Sequence, residues 1–223
     1  MKCFQQIITE DFQQQALNWV LTHAEYPPAG LEPEFDIDDD EQRYAKKIRN
    51  LYQYDPQFWQ TWFRDSGLNQ LINQHLSRPY LLRHAAFIKR HADESFIPLH
   101  QDIALWEKPY ESAITFWVAL TSSCNENGGM FYSPNTSVIY PHEFNLQYPM
   151  FKCIDLEKNH ISPRSLVDAP LNAGDILVWP AKTPHGSYMN TSGQLRIGMP
   201  VVLVDEDEYK KIMRGFYESM GNQ

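Results

Sequence analysis

The triplet His100-Gln101-Asp102 sets an imidazole and a carboxylate two residues apart, after the proline of Pro98-Leu99. In an extended chain residues i and i+2 project from the same face, so both side chains can reach one ion. Two histidines and one carboxylate on one side of a metal leave three positions open, the arrangement that non-haem iron(II) oxygenases use. The second histidine must come from elsewhere in the chain. By itself the HxD spacing has low specificity.

A second group of candidates lies in HGSYMNTSGQLR, residues 185–196. It follows NAGDILVWPAKTP, a Gly-Asp turn feeding an apolar strand and then a proline-bounded loop that can swing His185 inward. If the chain is extended there, His185 and Ser187 share a face. Arg196 opens the next predicted strand. Its planar fork matches a carboxylate bidentately and stays charged even when buried, so this is a site for an acid.

The elements that must position these residues follow from periodicity. Phe12, Ala16, Trp19, Val20 and His23 recur at three- and four-residue steps and predict a helix over 9–23. Further helices are expected at 41–51, 56–64 and 68–76, separated by Asp55-Pro56, Gly67 and Pro79. From Tyr80 to Asp205 short apolar or alternating runs punctuated by Gly, Pro and Asn predict strands, the clearest at 81–89, 96–105, 113–120, 175–179 and 195–204. In the third, Ile114, Phe116, Val118 and Leu120 face one way and Thr115, Trp117 and Ala119 the other. With no long helix between strands, antiparallel pairing in a sandwich or barrel is favoured over a parallel α/β sheet. A last helix is expected over 205–220. The reading is one domain spanning 1–223, mainly β with flanking helices: a helical bracing region (1–79), a β core (80–204) and a C-terminal helix (205–223).

HQD, then FWVALTSSCNENGGM, then AGDILVWPAKTPHGSYMNTSGQLR resembles the phytanoyl-CoA dioxygenase family of iron(II)- and 2-oxoglutarate-dependent oxygenases. The resemblance implies a double-stranded β-helix, or cupin-like jelly roll. It implies iron(II) on His100, Asp102 and His185, with 2-oxoglutarate and dioxygen consumed and succinate and carbon dioxide released. Arg196 and Ser187 would bind the far carboxylate of 2-oxoglutarate, with Trp117 and Lys89 as further contacts, while Asn190 and Ser192 would stand behind them. A carboxylate at position 102 favours hydroxylation over halogenation, because halogenating relatives leave that ligand place to chloride. Where the family often carries Pro-Gly-Ser-His, this chain reads Ser133-Pro134-Asn135-Thr136-Ser137 and departs from it.

Composition narrows the rest. The chain of 223 residues carries 19 Lys and Arg against 28 Asp and Glu, a net charge of −9, which repels a phosphate backbone and argues against nucleic acid as a partner. Cys3, Cys124 and Cys153 are odd in number and lack CxxC spacing, so neither a disulfide framework nor a cysteine zinc site is expected. Without an apolar run of signal-peptide or membrane-spanning kind, a cytoplasmic enzyme acting on a small molecule is expected. The acidic run from Glu32 to Glu41, followed by a basic stretch containing Arg43, Lys46, Lys47 and Arg49, reads as a solvated loop leading into an exposed helix face, with a lid or a basic-substrate contact as the alternative. His23, His75, His84, His91, His142 and His160 read as structural histidines, and Trp117 and Trp179 as core aromatics. Two other functions compete: a non-catalytic jelly-roll protein binding a metal or organic acid, and a cupin-like isomerase or hydrolase using zinc or manganese.

Overall fold

The computed structural model describes residues 1–37, 43–90, 95–144 and 151–221, the side chains from 215 onward excepted. Two antiparallel sheets form the centre. The larger has seven strands in the order β1 (Lys2–Phe4), β9 (Ile176–Pro180), β6 (Ile114–Ala119), β11 (Arg196–Asp205), β4 (Pro79–Lys89), β3 (Arg43–Arg49), β2 (Glu32–Ile37). The smaller has four, β5 (Ile97–His100), β10 (His185–Ser187), β7 (Met130–Tyr132) and β8 (Val167–Ala169). From β4 to β11 the chain crosses between the two sheets at every step except β7 to β8, in the manner of a jelly roll, while β1 to β3 extend the large sheet, and every named pairing is antiparallel.

The large sheet separates two environments. On one face Phe116, Val118, Ile197, Met199, Val201, Ile88 and Ala86 join the principal core with α1 (Glu10–Glu25), α2 (Leu51–Tyr54), α3 (Pro56–Asp65) and α4 (Leu68–Asn73), which supply Ala16, Trp19, Leu51, Trp59, Trp62 and Leu71. The alternate residues Trp117, Ala119, Leu177 and Trp179 turn to the space between the sheets, where Met130 of β7 and Ala169 of β8 meet them. The alternation expected along β6 is therefore present, and it divides bracing core from lumen. Local signals account for the helix starts: the Asp55 carboxylate accepts a hydrogen bond from the Phe58 amide at 3.1 Å and Pro56 occupies the first helical position of α3.

The helical reading of the N-terminal region needs three corrections. The expected helix over 41–51 is strand β3. Its buried Tyr44, Ala45 and Ile48 sit at spacings that fit a helix equally well, and the unpaired edge of β4 decides the matter by offering a ladder in which Lys47, Ile48 and Arg49 face Phe87, Ala86 and Ala85. The acidic run read as a loop is an edge strand over Glu32–Ile37, where charged side chains shield an open edge from further pairing. Its remainder, residues 38–41, lies outside the described residues, as do the lid question and His91. Finally, β1 at the amino end pairs with β9.

The strand expected over 96–105 stops at His100, and α5 (Asp102–Leu105) follows. α6 (Glu206–Gly221) closes the chain as expected, with Tyr209 stacked on Tyr80.

Candidate active site

His100 ends β5 and Asp102 begins α5, so the pair does not lie in one continuous strand. Gln101 between them is extended, with φ −118° and ψ 127°, and that single residue keeps both side chains on the same side. His185 opens β10 and pairs with His100 across the small sheet. The two imidazole centroids are 4.3 Å apart, and Asp102 Oδ1 lies 3.9 Å from His100 Nε2 and 4.0 Å from His185 Nε2. Gly186, the middle residue of β10, leaves no room for a side chain: a Cβ there would lie 2.5 Å from both the Ile97 carbonyl oxygen and the Phe131 ring.

Hydrogen bonds set the chemistry of the donors. His100 Nδ1 donates to the Pro98 carbonyl and His185 Nδ1 to the Thr183 carbonyl, each at 2.9 Å. With the proton held on Nδ1, each Nε2 presents a lone pair inward. Burial pushes the His100 imidazolium far below the ordinary histidine range, and neighbouring His185 acts in the same direction against the pull of Asp102. Neutral His100 is thus the resident form at physiological pH, as a metal ligand must be. Thr115 Oγ1 of β6 donates to Asp102 Oδ2 at 3.3 Å, leaving Oδ1 toward the histidines. Two imidazole nitrogens and one carboxylate within 4.8 Å of one another suit a divalent first-row metal, and this is the one such group among the described residues.

The residues expected around a cosubstrate gather at the other end of the lumen. Arg196 and Lys89 are direct partners across β11 and β4, and both are buried. The Arg196 guanidinium donates through Nε at 3.0 Å and through Nη2 to the Gly128 carbonyl, and it lies 5.3 Å from the Trp117 ring. Lys89 Nζ donates to Ser187 Oγ at 3.0 Å, to the Ser95 carbonyl and to the Tyr188 carbonyl. Asn190 Nδ2 donates to the Lys89 and Gln194 carbonyls, while its Oδ1 accepts from the amide and hydroxyl of Ser192. Asn190 and Ser192 therefore shape the turn behind Lys89 and do not reach into the lumen themselves. Trp179, read as a core aromatic, is also a wall of the metal group, its ring 4.9 Å from that of His185.

Gln101 carries a role that the sequence reading passed over. It is fully buried, and its side chain donates to the Val138 and Lys182 carbonyls and accepts from the Tyr140 amide. Its backbone amide donates to His142 Nε2, whose Nδ1 in turn donates to the Tyr140 carbonyl. One residue between two candidate ligands thus fastens the 138–142 segment and the 182–185 approach together. The available signal was an amide side chain flanked by two ligand types, which has no distinguishing spacing.

A family model for phytanoyl-CoA dioxygenase (PhyH) matches residues 7–198. The chain belongs to that family. Phytanoyl-CoA dioxygenase family membership makes it an iron- and 2-oxoglutarate-dependent oxygenase by class. No curated protein matches its sequence significantly. Among solved structures it is similar to EvdO2 from Micromonospora carbonacea var. aurantiaca complexed with 2-oxoglutarate, with 19% identity and a TM-score of 0.70 over 91% of this chain and 85% of the other. It is also similar to the epimerase SnoN in complex with Fe3+, alpha ketoglutarate and nogalamycin RO, with 16% identity and a TM-score of 0.65 over 91% and 78%. A third, EvdMO1, has 19% identity and a TM-score of 0.68, and there the chain covers 91% of itself but spans 46% of the other protein. At these identities the likeness establishes the jelly-roll fold shared with family members. Among the described residues no helix is long and apolar enough to cross a membrane.

Proposed function

We propose that this phytanoyl-CoA dioxygenase family member hydroxylates a small molecule, with iron(II) on His100, Asp102 and His185 and 2-oxoglutarate reaching from the metal toward Arg196. The observation that carries this reading is the pairing of an inward-facing donor set with two buried cations farther along the same lumen. Arg196 and Ser187 bind the far carboxylate of 2-oxoglutarate. Because Ser187 Oγ already accepts from Lys89, its own proton is directed to another acceptor, and a carboxylate is a fitting one. Lys89 lends positive charge, and Trp117 walls the cosubstrate without offering an acceptor.

Iron with 2-oxoglutarate and dioxygen supplies an oxidant when bound, with succinate and carbon dioxide as by-products. The chain's own residues do the remaining work. Both histidine protons stay parked on backbone carbonyls, Thr115 steadies Asp102, and Trp117, Trp179 and Met130 keep water from the lumen. Asp102 fills the place that chloride takes in halogenating relatives, which supports oxygen insertion. We place the enzyme in the cytoplasm, consistent with three cysteines that form no disulfide.

The test is an anaerobic titration of apoprotein with iron(II) and 2-oxoglutarate, watching for the weak visible charge-transfer band of keto-acid chelation. The band is expected in the native protein, absent in Asp102→Ala and reached only at higher 2-oxoglutarate in Arg196→Ala. Tight metal binding with no band would instead favour a zinc or manganese cupin or a non-catalytic binder. Once a substrate is found, a product heavier by one oxygen supports hydroxylation, whereas an isomer of unchanged mass means epimerisation.

A further inference from the structure

Lys47, in the basic stretch expected to form an exposed helix face, instead lies on strand β3. In the fold it faces Phe87 across β3 and β4, and its Nζ lies 4.3 Å over the Phe87 ring, which in turn packs 5.6 Å from Trp117. Paired residues share a face, so Lys47 and Arg49 lie on the lumen side of the large sheet with Phe87 and Ala85. Two residues before Ala85, Arg83 lies on that face too, its guanidinium 5.6 Å from the Trp106 ring at the end of α5. Arg83 pairs with Val202, Val202 with Thr115, and Thr115 holds Asp102. Arg83 therefore stands two strands from the candidate metal group, in the same row. Unlike buried Lys89 and Arg196, Lys47 is half-buried and Arg83 reaches solvent, which marks their end of the lumen as its mouth.

The nearby acids are already engaged. Glu34 binds Arg49 at 2.6 Å and lies 3.9 Å from Lys46, and Asp36 lies 3.3 Å from Lys46. Among the described residues no carboxylate comes within ion-pair distance of Lys47 or Arg83. The ammonium of Lys47 feels the crowding: burial first, then Arg49 and Arg83, lower its pKa to about 8 against the opposing pull of Glu34 and Asp102. In a chain of net charge −9, a local excess of cations around a lumen mouth is the feature that an acidic ligand would neutralise.

We infer that the oxygenase's primary substrate carries an anionic group, a carboxylate or phosphate, which Lys47 and Arg83 hold at the mouth between the Phe87 and Trp106 rings. The inference deepens the function proposed above and rests on it. Holding the charged end at the mouth leaves the carbon skeleton to reach inward toward Asp102 and the histidines. Arg83 offers the bidentate fork and Lys47 the point charge.

The experiment titrates the protein, loaded with manganese(II) and 2-oxoglutarate to fill the inner site, with aliphatic and aromatic monocarboxylates, each beside its primary amide, and with phosphate monoesters, each beside its free alcohol. Binding is read by thermal shift and ligand-observed NMR. Saturable binding by at least one acid and not by its neutral twin is expected, and whichever arm responds identifies carboxylate or phosphate. Lys47→Met, which keeps the stem over Phe87, and Arg83→Gln should each weaken that binding at least tenfold, with Lys47→Arg restoring most of it. Acids that never saturate, neutral twins that bind equally, or variants that bind like the native protein would each overturn the inference. The iron and 2-oxoglutarate band is recorded separately on the native protein, so its absence would sink the oxygenase reading without being mistaken for failure of the anion site.

Discussion

Arg196 and Lys89 stand directly opposite each other on β11 and β4, two buried cations on neighbouring strands that face the same lumen. Like charges in such a pair repel, so an acid lying over both removes a standing cost. Replacing Arg196 with Lys keeps the charge and loses the fork. The 2-oxoglutarate titration should then shift by about 1.5–3 kcal/mol, roughly tenfold to more than a hundredfold in Kd. An unchanged Kd in a folded Arg196→Lys protein would remove Arg196 from the site.

Metal binding should stabilise the fold through the donor group alone. At a hundredfold excess over Kd, manganese(II) should add about 2.7 kcal/mol to the native protein. Asp102→Ala should show little of that gain, since it removes the carboxylate between the two histidines. Chemical denaturation with and without metal measures both. Equal stabilisation of the two proteins would mean that the ion binds elsewhere.

Gln101→Ala should loosen what lies on either side of it. The Val138 and Lys182 carbonyls and the Tyr140 amide each lose a partner, at about 1–3 kcal/mol for any left dry. Metal affinity should fall roughly 10–100-fold, as for other supports of a ligand set. Hydrogen exchange should quicken over 138–142. A loss of stability with unchanged metal affinity would restrict Gln101 to holding the loop.

Gly198 lies under Trp117: a Cβ there would sit 2.0 Å from the indole Cζ2. Gly198→Ala should cost about 1–3 kcal/mol through overpacking, and Trp117→Leu in the same chain should recover part of it. Thermal melts of the single and double variants decide this, additive losses being the adverse result.

His84 is buried against Trp59 and Phe63, with neither ring nitrogen hydrogen-bonded among the described residues, and burial lowers its pKa to about 3. The unfolded chain therefore binds the proton that the folded one refuses. The contribution is intact above the unfolded pKa of about 6.5 and is lost as pH falls toward the folded value, by about 1.4 kcal/mol per pH unit. His84→Phe should flatten the stability profile between those limits. A slope unchanged from the native protein would show that other groups set it.

The residues with fixed short spacings were the ones legible in the sequence. His100 and Asp102 are two apart, and Ser187 and Arg196 follow His185 at two and eleven; the fold gathers the first pair with His185 at one end of the lumen and Arg196 with Ser187 near Lys89. The alternation along β6 was equally plain, because each of its faces meets a different layer. What escaped notice depended on distant partners. Tyr44, Ala45 and Ile48 suit a helix until the edge of β4 is present to pair with them. Lys47 and Arg83 acquire a shared face only through that same register, and Gln101 acquires its role from three backbone groups located 37 to 81 residues away.

The hydrogen bonds that orient the two candidate ligand histidines both end on main-chain carbonyls two positions earlier, at Pro98 and Thr183. Among the described residues no side chain is asked to hold either imidazole's tautomer. The tautomers of the two imidazoles are consequently independent of the side chains that line the lumen: its wall and its cationic mouth can be altered to admit a new molecule while His100 and His185 keep their lone pairs turned inward. A fold wired in this way can diversify what it oxidises without first having to rebuild how it oxidises.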